Sequence, residues 1–307
     1  LFGFDFLNEP FPGADGGKIF RTLIKNLVKN SVTDKRVDLI KLAKVGLFSD
    51  EKPKALDQYS GEVLKTITDK CAPIVERFDV ERYSPFVSKM ATAVREVTDK
   101  GIMFMENNYY SNMGIPCCNT PVMVKGERES QQLFAPHAYD LMVDTPAYKY
   151  ASNSRVGFIF DEHRRTQERL GVPCIVGEWG SCAEGDGWYP HIRFLQDKFD
   201  SYKWSNTYWC YFDDMFKQDF MKVITRPRPK AVTGEIVSYK YDHEDGEFKL
   251  KYIQDKKYKV PTVVYVDRKP EKIECDGKYK IIELPGNIGY DIEFKTDIGE
   301  HEIEIEF

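Results

Sequence analysis

Two glutamates, each closing an apolar run, carry the chemistry this sequence can offer. Glu9 ends Leu1-Phe-Gly-Phe-Asp-Phe-Leu-Asn8-Glu9-Pro10, and Glu178 ends Pro173-Cys-Ile-Val-Gly-Glu178-Trp179-Gly180. Such runs suit strands buried on both faces of a parallel sheet, and Pro10 stops the first by removing a ladder donor. A β/α barrel keeps its reacting groups at the C-terminal ends of its strands. Two facing carboxyls are what glycoside hydrolysis needs: one protonated to serve the leaving oxygen, one ionised to attack the anomeric carbon, roughly 5–5.5 Å apart in a retaining enzyme. A lone strand-end glutamate is more often solvated or ion-paired. It is the pairing of Glu9 with Glu178 that points to catalysis.

Other strand ends supply fitting accessories. Asn8 could hydrogen-bond a sugar 2-hydroxyl. In Gln132-Leu-Phe-Ala-Pro-His137-Ala-Tyr139-Asp140, Tyr139 could steady an ionised Glu178 and His137 could orient a carboxyl or a sugar hydroxyl; the bland alternative is a buried hydrogen-bonded pair. Trp209 offers a plate for a pyranose, or is a core tryptophan. Glu106, closing Ile102-Met-Phe-Met, either lines the site or makes a structural ion pair. Asp213 and Asp214 read as a loop cap. The loop holding Tyr109-Tyr110 and Met113–Ile115 is either a lipid-facing surface or ordinary packing.

The elements that must position these groups follow from periodicity. Strands are predicted at Leu1–Leu7, Ile102–Glu106, Gln132–Asp140, Pro173–Gly180 and Ser205–Phe212. Helical spacing covers Lys18–Lys29, residues 61–80 and 83–99, Asn153–Leu170 (broken by Gly171-Val172-Pro173), and Ile192–Tyr202; residues 34–60 read as helical turns and loop. Beyond Arg226-Pro-Arg-Pro229 short alternating runs replace helices: Ile236–Tyr241, Glu247–Tyr252, Thr262–Val266, Tyr279–Leu284, Tyr290–Lys295 and His301–Phe307. Asp245-Gly246 and Asp276-Gly277 are predicted hairpin turns. The chain therefore divides into an α/β barrel part, 1–226, and an antiparallel β-sandwich, 227–307. His243 and His301 read as surface residues.

Composition narrows the function. The 307 residues carry a formal charge of −5 and are 42% hydrophobic and 14% aromatic, with no basic stripe for nucleic acid and no apolar run long enough to span a bilayer. Seven cysteines show no metal-like spacing; most read as buried fillers, Cys174 and Cys210 within strands, and one disulfide stays open.

Together, Asn8-Glu9-Pro10, His137-Ala-Tyr139, Glu178-Trp179-Gly180 and Trp209 resemble glycoside hydrolase family 5, of the clan of retaining (β/α)8 hydrolases. Phe-Leu-Asn-Glu-Pro-Phe-Pro-Gly, Pro-His-Ala-Tyr-Asp and the Arg226–Gly234 exit are similar to those of its endoglycoceramidases. The resemblance implies Glu9 as acid/base and Glu178 as nucleophile. It also implies cleavage between an oligosaccharide and ceramide with neither metal nor cofactor, a glycolipid substrate met at a lipid surface or micelle, and a secreted or endolysosomal setting. It makes the Asn-Glu-Pro strand the fourth of eight, so the fold expected is the C-terminal part of a TIM barrel (strands 4–8) followed by the sandwich. The missing N-terminal half-barrel segment is expected in the same or a separate chain. Two alternatives stay open: a related β-glycosidase acting on a steryl glucoside, glucosylceramide or polysaccharide, and a non-catalytic glycan- or lipid-binding scaffold.

Overall fold

In the computed structural model, residues 1–35, 37–48, 57, 59–143, 145–182 and 186–307 are described. They form two compact units, Leu1–Ser181 with Ser205–Cys210, and Cys182–Trp204 with Tyr211–Phe307.

The first unit is built on short parallel strands. β1 (Gly3–Asp5) pairs with β2 (Ile102–Met105), Gly3 opposite Ile102. A small hairpin, β3 (Met123–Val124) and β4 (Glu127–Arg128), precedes β5 (Gln132–Phe134), which pairs parallel with β2. A parallel bridge from Phe134 to Cys174 leads to β6 (Ile175–Gly180), which pairs with β7 (Ser205–Trp209). Five parallel strands thus follow one another in chain order, the pattern of successive β/α barrel units. Among the described residues β1 and β7 each have one strand neighbour, so the arc is open.

Helices α1 (Gly16–Thr33), α2 (Leu39–Phe48), α3 (Gly61–Thr68), α4 (Ala72–Phe78) and α5 (Ser84–Arg95) lie between β1 and β2, and α6 (Asn153–Leu170) between β5 and β6. α2 falls inside the stretch read as turns and loop; residues 49–56 of that stretch lie outside the described residues. α6 keeps its predicted bounds because Ser152 accepts the Arg155 N–H at one end and Gly171 closes the other in the left-handed conformation, φ 61°. The pair read as 61–80 and 83–99 is redrawn. The first helix stops at Thr68, and α4 and α5 run together through a π-helical turn, Asp79–Tyr83. Pro85 lacks the N–H that an unbroken α-helix would use, and the wider turn absorbs that loss. The strand predicted through Asp140 ends at Phe134 because Pro136 breaks the ladder, which resumes only as a His137–Glu178 bridge. The last strand stops at Trp209, so Cys210 is exposed and not a core filler, whereas Cys71, Cys117 and Cys174 are buried.

In the second unit α7 (Tyr189–Tyr202) and α8 (Met221–Ile224) accompany eight strands: β8 (Arg228–Ala231), β9 (Glu235–Asp242), β10 (Glu247–Gln254), β11 (Thr262–Val266), β12 (Lys272–Cys275), β13 (Lys278–Glu283), β14 (Tyr290–Lys295) and β15 (Gly299–Glu306). They make two antiparallel sheets, ordered β12-β15-β10-β9 and β13-β14-β11-β8. Phe248, Leu250, Val264, Ile292, Phe294, Ile303 and Ile305 are fully buried between them. β8 and β12 escape sequence detection because both are four-residue edge strands, β8 carrying Pro229. Asp245-Gly246 joins paired neighbours as predicted, but Asp276-Gly277 joins strands of different sheets and is a crossover, not a hairpin. His301 is no surface residue: it is buried, with Asp276 2.7 Å from Nδ1 and the Asp297 carbonyl 2.8 Å from Nε2. His243 is half-buried.

Candidate active site

Beyond β1 the chain turns sharply, and Glu9 takes a left-handed backbone, φ 45°. The turn is held from below: the Glu9 N–H donates to Glu106 Oε2 at 2.6 Å, and the Tyr109 N–H donates to the Pro10 carbonyl at 2.9 Å. Glu178 sits within β6, where the pairing with β7 shifts register between Val176 and Trp179. Just after it Gly180 has φ +109°, where a Cβ would fall 2.2 Å from the Tyr208 ring, so no larger residue fits. Tyr139 is fixed by its neighbour Asp140, a fully buried carboxylate that takes the Arg155 Nε at 2.8 Å and the Ser152 N–H at 3.0 Å. A buried charge is tolerable when a guanidinium and backbone donors satisfy it in this way.

The predicted residues converge. The Tyr139 hydroxyl donates to Glu178 Oε2 at 2.9 Å. His137 lies between the glutamates, its Nδ1 3.3 Å from Glu9 Oε1 and 3.5 Å from Glu178 Oε2. One donor atom each from Glu9, His137 and Glu178 lie within 4.8 Å of one another. Both carboxyls are partly exposed, 25% for Glu9 and 16% for Glu178, and so open to a ligand. They line a cavity of about 500 Å³ with Asn8, Asn112, Tyr139 and Trp209, while Tyr109, Met113, Leu141 and Val143 give it an apolar wall. Trp209 is half exposed there, as a stacking plate would be.

Glu106 is placed differently. It is buried behind Glu9, with Oε1 3.3 Å from His137 Nε2, and does not reach the cavity. Burial and the adjacent Asp5 carboxylate hold its proton affinity far above the usual carboxylate range, so it is neutral at pH 7. Burial and the Glu178 charge likewise raise the Tyr139 hydroxyl, which stays a donor. Asp214 holds the cap position of the 3₁₀ turn Met215–Lys217, but its side chain makes no capping hydrogen bond and pairs with Lys217 at 2.6 Å instead. The Tyr109–Ile115 loop divides: Tyr109 and Met113 face the cavity, while Tyr110 and Ile115 pack with Ile19, Cys71 and Val75.

Sequence reasoning missed three supports. Asn112 donates to Glu9 Oε1 at 2.8 Å, and Asn107 in turn donates to Asn112 Oδ1 at 2.6 Å. His163, on α6, places Nε2 3.2 Å from the His137 carbonyl. Burial pushes its pKa down to about 3, so the ring is neutral and donates that hydrogen bond. The signal for His163 was available, a histidine one helical turn from Ile159 and Phe160, but it does not reveal which carbonyl it meets.

Comparison with known proteins bears on the fold. The chain aligns in three dimensions with endo-glycoceramidase II from Rhodococcus sp. at TM-score 0.63 and 15% identity, over 86% of this chain and 67% of that one. It aligns with an endogalactoceramidase at TM-score 0.54 and 11% identity, over 79% and 62%. Sterylglucosidase 1 of Cryptococcus neoformans gives 0.55 and 13%, over 75% and 44%. At these identities the likeness is one of fold, and the chain spans about two thirds of the first of these. No curated protein matches it in sequence. The family model for cellulase (glycosyl hydrolase family 5) matches residues 73–214, which include His137, Tyr139, Glu178 and Trp209, and that for the glycoside hydrolase family 5 C-terminal domain matches residues 226–301. With two models of one family, catalytic domain and C-terminal domain, matched in order along the chain, this protein belongs to glycoside hydrolase family 5.

Proposed function

We propose that this glycosidase is a retaining enzyme that cleaves the β-linkage between an oligosaccharide and ceramide. The observation that carries the reading is the closeness of Glu9 and Glu178, within 4.8 Å through His137-facing oxygens, beside an apolar wall. An inverting enzyme holds its carboxyls roughly 6.5–9.5 Å apart to admit a water; a retaining one brings the second close enough to attack. Glu178, ionised and held by the Tyr139 hydroxyl, attacks the anomeric carbon, while Glu9 gives its proton to the departing ceramide oxygen. Glu9, now ionised, takes a proton from water, which displaces Glu178 and restores the starting configuration. Tyr109, Met113, Leu141 and Val143 would receive the lipid aglycone, and the aliphatic side chains among them favour an apolar aglycone over a further sugar.

The likeness to a sterylglucosidase favours a second reading, since the same wall would suit a sterol. Incubating the protein with ganglioside GM3 in detergent micelles separates them. An intact oligosaccharide with free ceramide is expected, and Glu178→Gln should release neither. Ceramide still bearing one sugar, or no product from the parent protein alongside turnover of a steryl glucoside, would overturn the first reading.

A further inference from the structure

Asn107 and Asn112 sit between a fixed backbone donor and the acid/base carboxyl, and their amide orientations are not free. The His137 N–H donates to Asn107 Oδ1 at 3.0 Å. Since an N–H cannot accept, the Asn107 carbonyl must face it and the Asn107 NH₂ must point away. That NH₂ donates to the Asn108 carbonyl at 2.8 Å and to Asn112 Oδ1 at 2.6 Å. Asn112 therefore has its carbonyl committed, and only its NH₂ remains to meet Glu9 Oε1, at 2.8 Å. The turn carrying Asn112 is itself pinned, because Asn108 Oδ1 accepts the Tyr110 and Ser111 N–H groups at 3.0 and 3.2 Å. Asn107 is 1% exposed, so water does not compete for its amide.

We propose that Asn107 and Asn112 form an amide relay that holds a hydrogen-bond donor on Glu9 Oε1 and thereby sets the pH at which Glu9 gives up its proton. The relay rests on the acid/base reading of Glu9. Around Glu9 stand His137, Glu178, Tyr139 and the neutral Glu106. An ionised Glu178 favours the protonated form of Glu9, and the Asn112 amide opposes it by favouring the carboxylate. With Oε1 taken by Asn112 and facing His137, the proton delivered to the leaving oxygen rides on Oε2. Both asparagines are positioning residues: neither is needed to touch the sugar.

The test is the pH dependence of kcat/KM on ganglioside GM3 for the parent protein, Asn112→Ala and Asn107→Asp. Loss of the donor should let Glu9 keep its proton longer, moving the alkaline limb of the Asn112→Ala profile up by about one pH unit and leaving the acid limb in place. Asn107→Asp still accepts from the His137 N–H but cannot donate to Asn112, whose amide then turns its carbonyl toward Glu9. Its alkaline limb should rise too, without any change at position 112. A lower rate in both variants with unmoved limbs would overturn the relay and leave Asn112 as packing. Glu9→Gln tests the underlying reading separately. It should lose about 10²–10⁴-fold on GM3, yet with an aryl β-glycoside of a strongly acidic phenol, whose departure needs no proton donor, it should still release a burst of phenol before hydrolysis of the glycosyl-enzyme, which needs Glu9 as base, limits turnover. Full GM3 hydrolysis by Glu9→Gln would remove the acid/base assignment, and the relay with it.

Discussion

At the scale of single residues, Tyr139 and Glu106 act through protons they do not release. Tyr139 is kept protonated by burial and by the charge of Glu178, to which it donates at 2.9 Å. Replacing it with phenylalanine should cost roughly 10-fold or more in kcat and move the acid limb of the rate profile upward, since a carboxylate that loses a donor is protonated at higher pH. An acid limb that stays put in Tyr139→Phe would show that the hydroxyl does not steady the nucleophile. Glu106 is neutral through the acid and neutral range, so glutamine is its near-isostere. Glu106→Gln should keep activity within about an order of magnitude, whereas Glu106→Ala removes the acceptor for the Glu9 N–H and should fall further. Equal losses in the two, measured with GM3, would mean the charge matters after all. What could be read from the sequence here were side chains that end strands: Glu9, Glu178, His137, Tyr139 and Trp209. Asn107 and Asn112 could not be read, because an asparagine in a loop of Asn, Gly and Pro signals turn chemistry first. Only the folded backbone decides what its amide meets.

Among the elements, the π turn between α4 and α5 does more than pass a proline. It carries Asp79 into the interior, where the carboxylate accepts the Cys118 N–H at 2.7 Å and the Asn108 amide at 3.1 Å. The turn that presents Asn112, Tyr109 and Met113 is thereby tied to the α4–α5 helix. Burial raises the Asp79 carboxyl to about 7. Between roughly pH 4 and pH 7 the native state holds a proton that the unfolded chain has released, so this group's contribution to stability falls as pH rises. Asp79→Asn has nothing to titrate. The stability difference, variant minus parent, should therefore move in the variant's favour by on the order of a few kcal/mol across that window. Denaturant titrations at several pH values check this, and a flat difference would refute it. Helix α6 could be read to the residue because its stop signals are local, Ser152 and Gly171. The π turn could not, because a proline in a helical pattern announces a boundary and only tertiary packing tells a bulge from a break.

For the molecule as a whole, the five-strand arc leaves a surface of one character. Phe20, Ile24, Val28 and Val32 recur every fourth residue along α1, all at least 43% exposed, and β1 has one strand neighbour among the described residues. If further strand–helix units complete the arc, from this chain or another, this is the face they would cover. Residues 1–307 alone should self-associate as concentration rises, and Ile24→Lys with Val28→Lys should raise the monomer fraction in sedimentation or size-exclusion experiments. Identical behaviour of the two forms would mean the face is not adhesive. The sandwich is closed in a different sense. Its chain passes from one sheet to the other at most of its connections, the Asp276-Gly277 crossover among them, so neither sheet is a contiguous segment. Peeling away one sheet alone would require withdrawing strands from the middle of the other's connections. The amide protons of Phe248 and Leu250 in β10 should consequently exchange with solvent in the same global opening as those of Ile292 and Phe294 in β14, and this half of the enzyme should melt as a single cooperative unit.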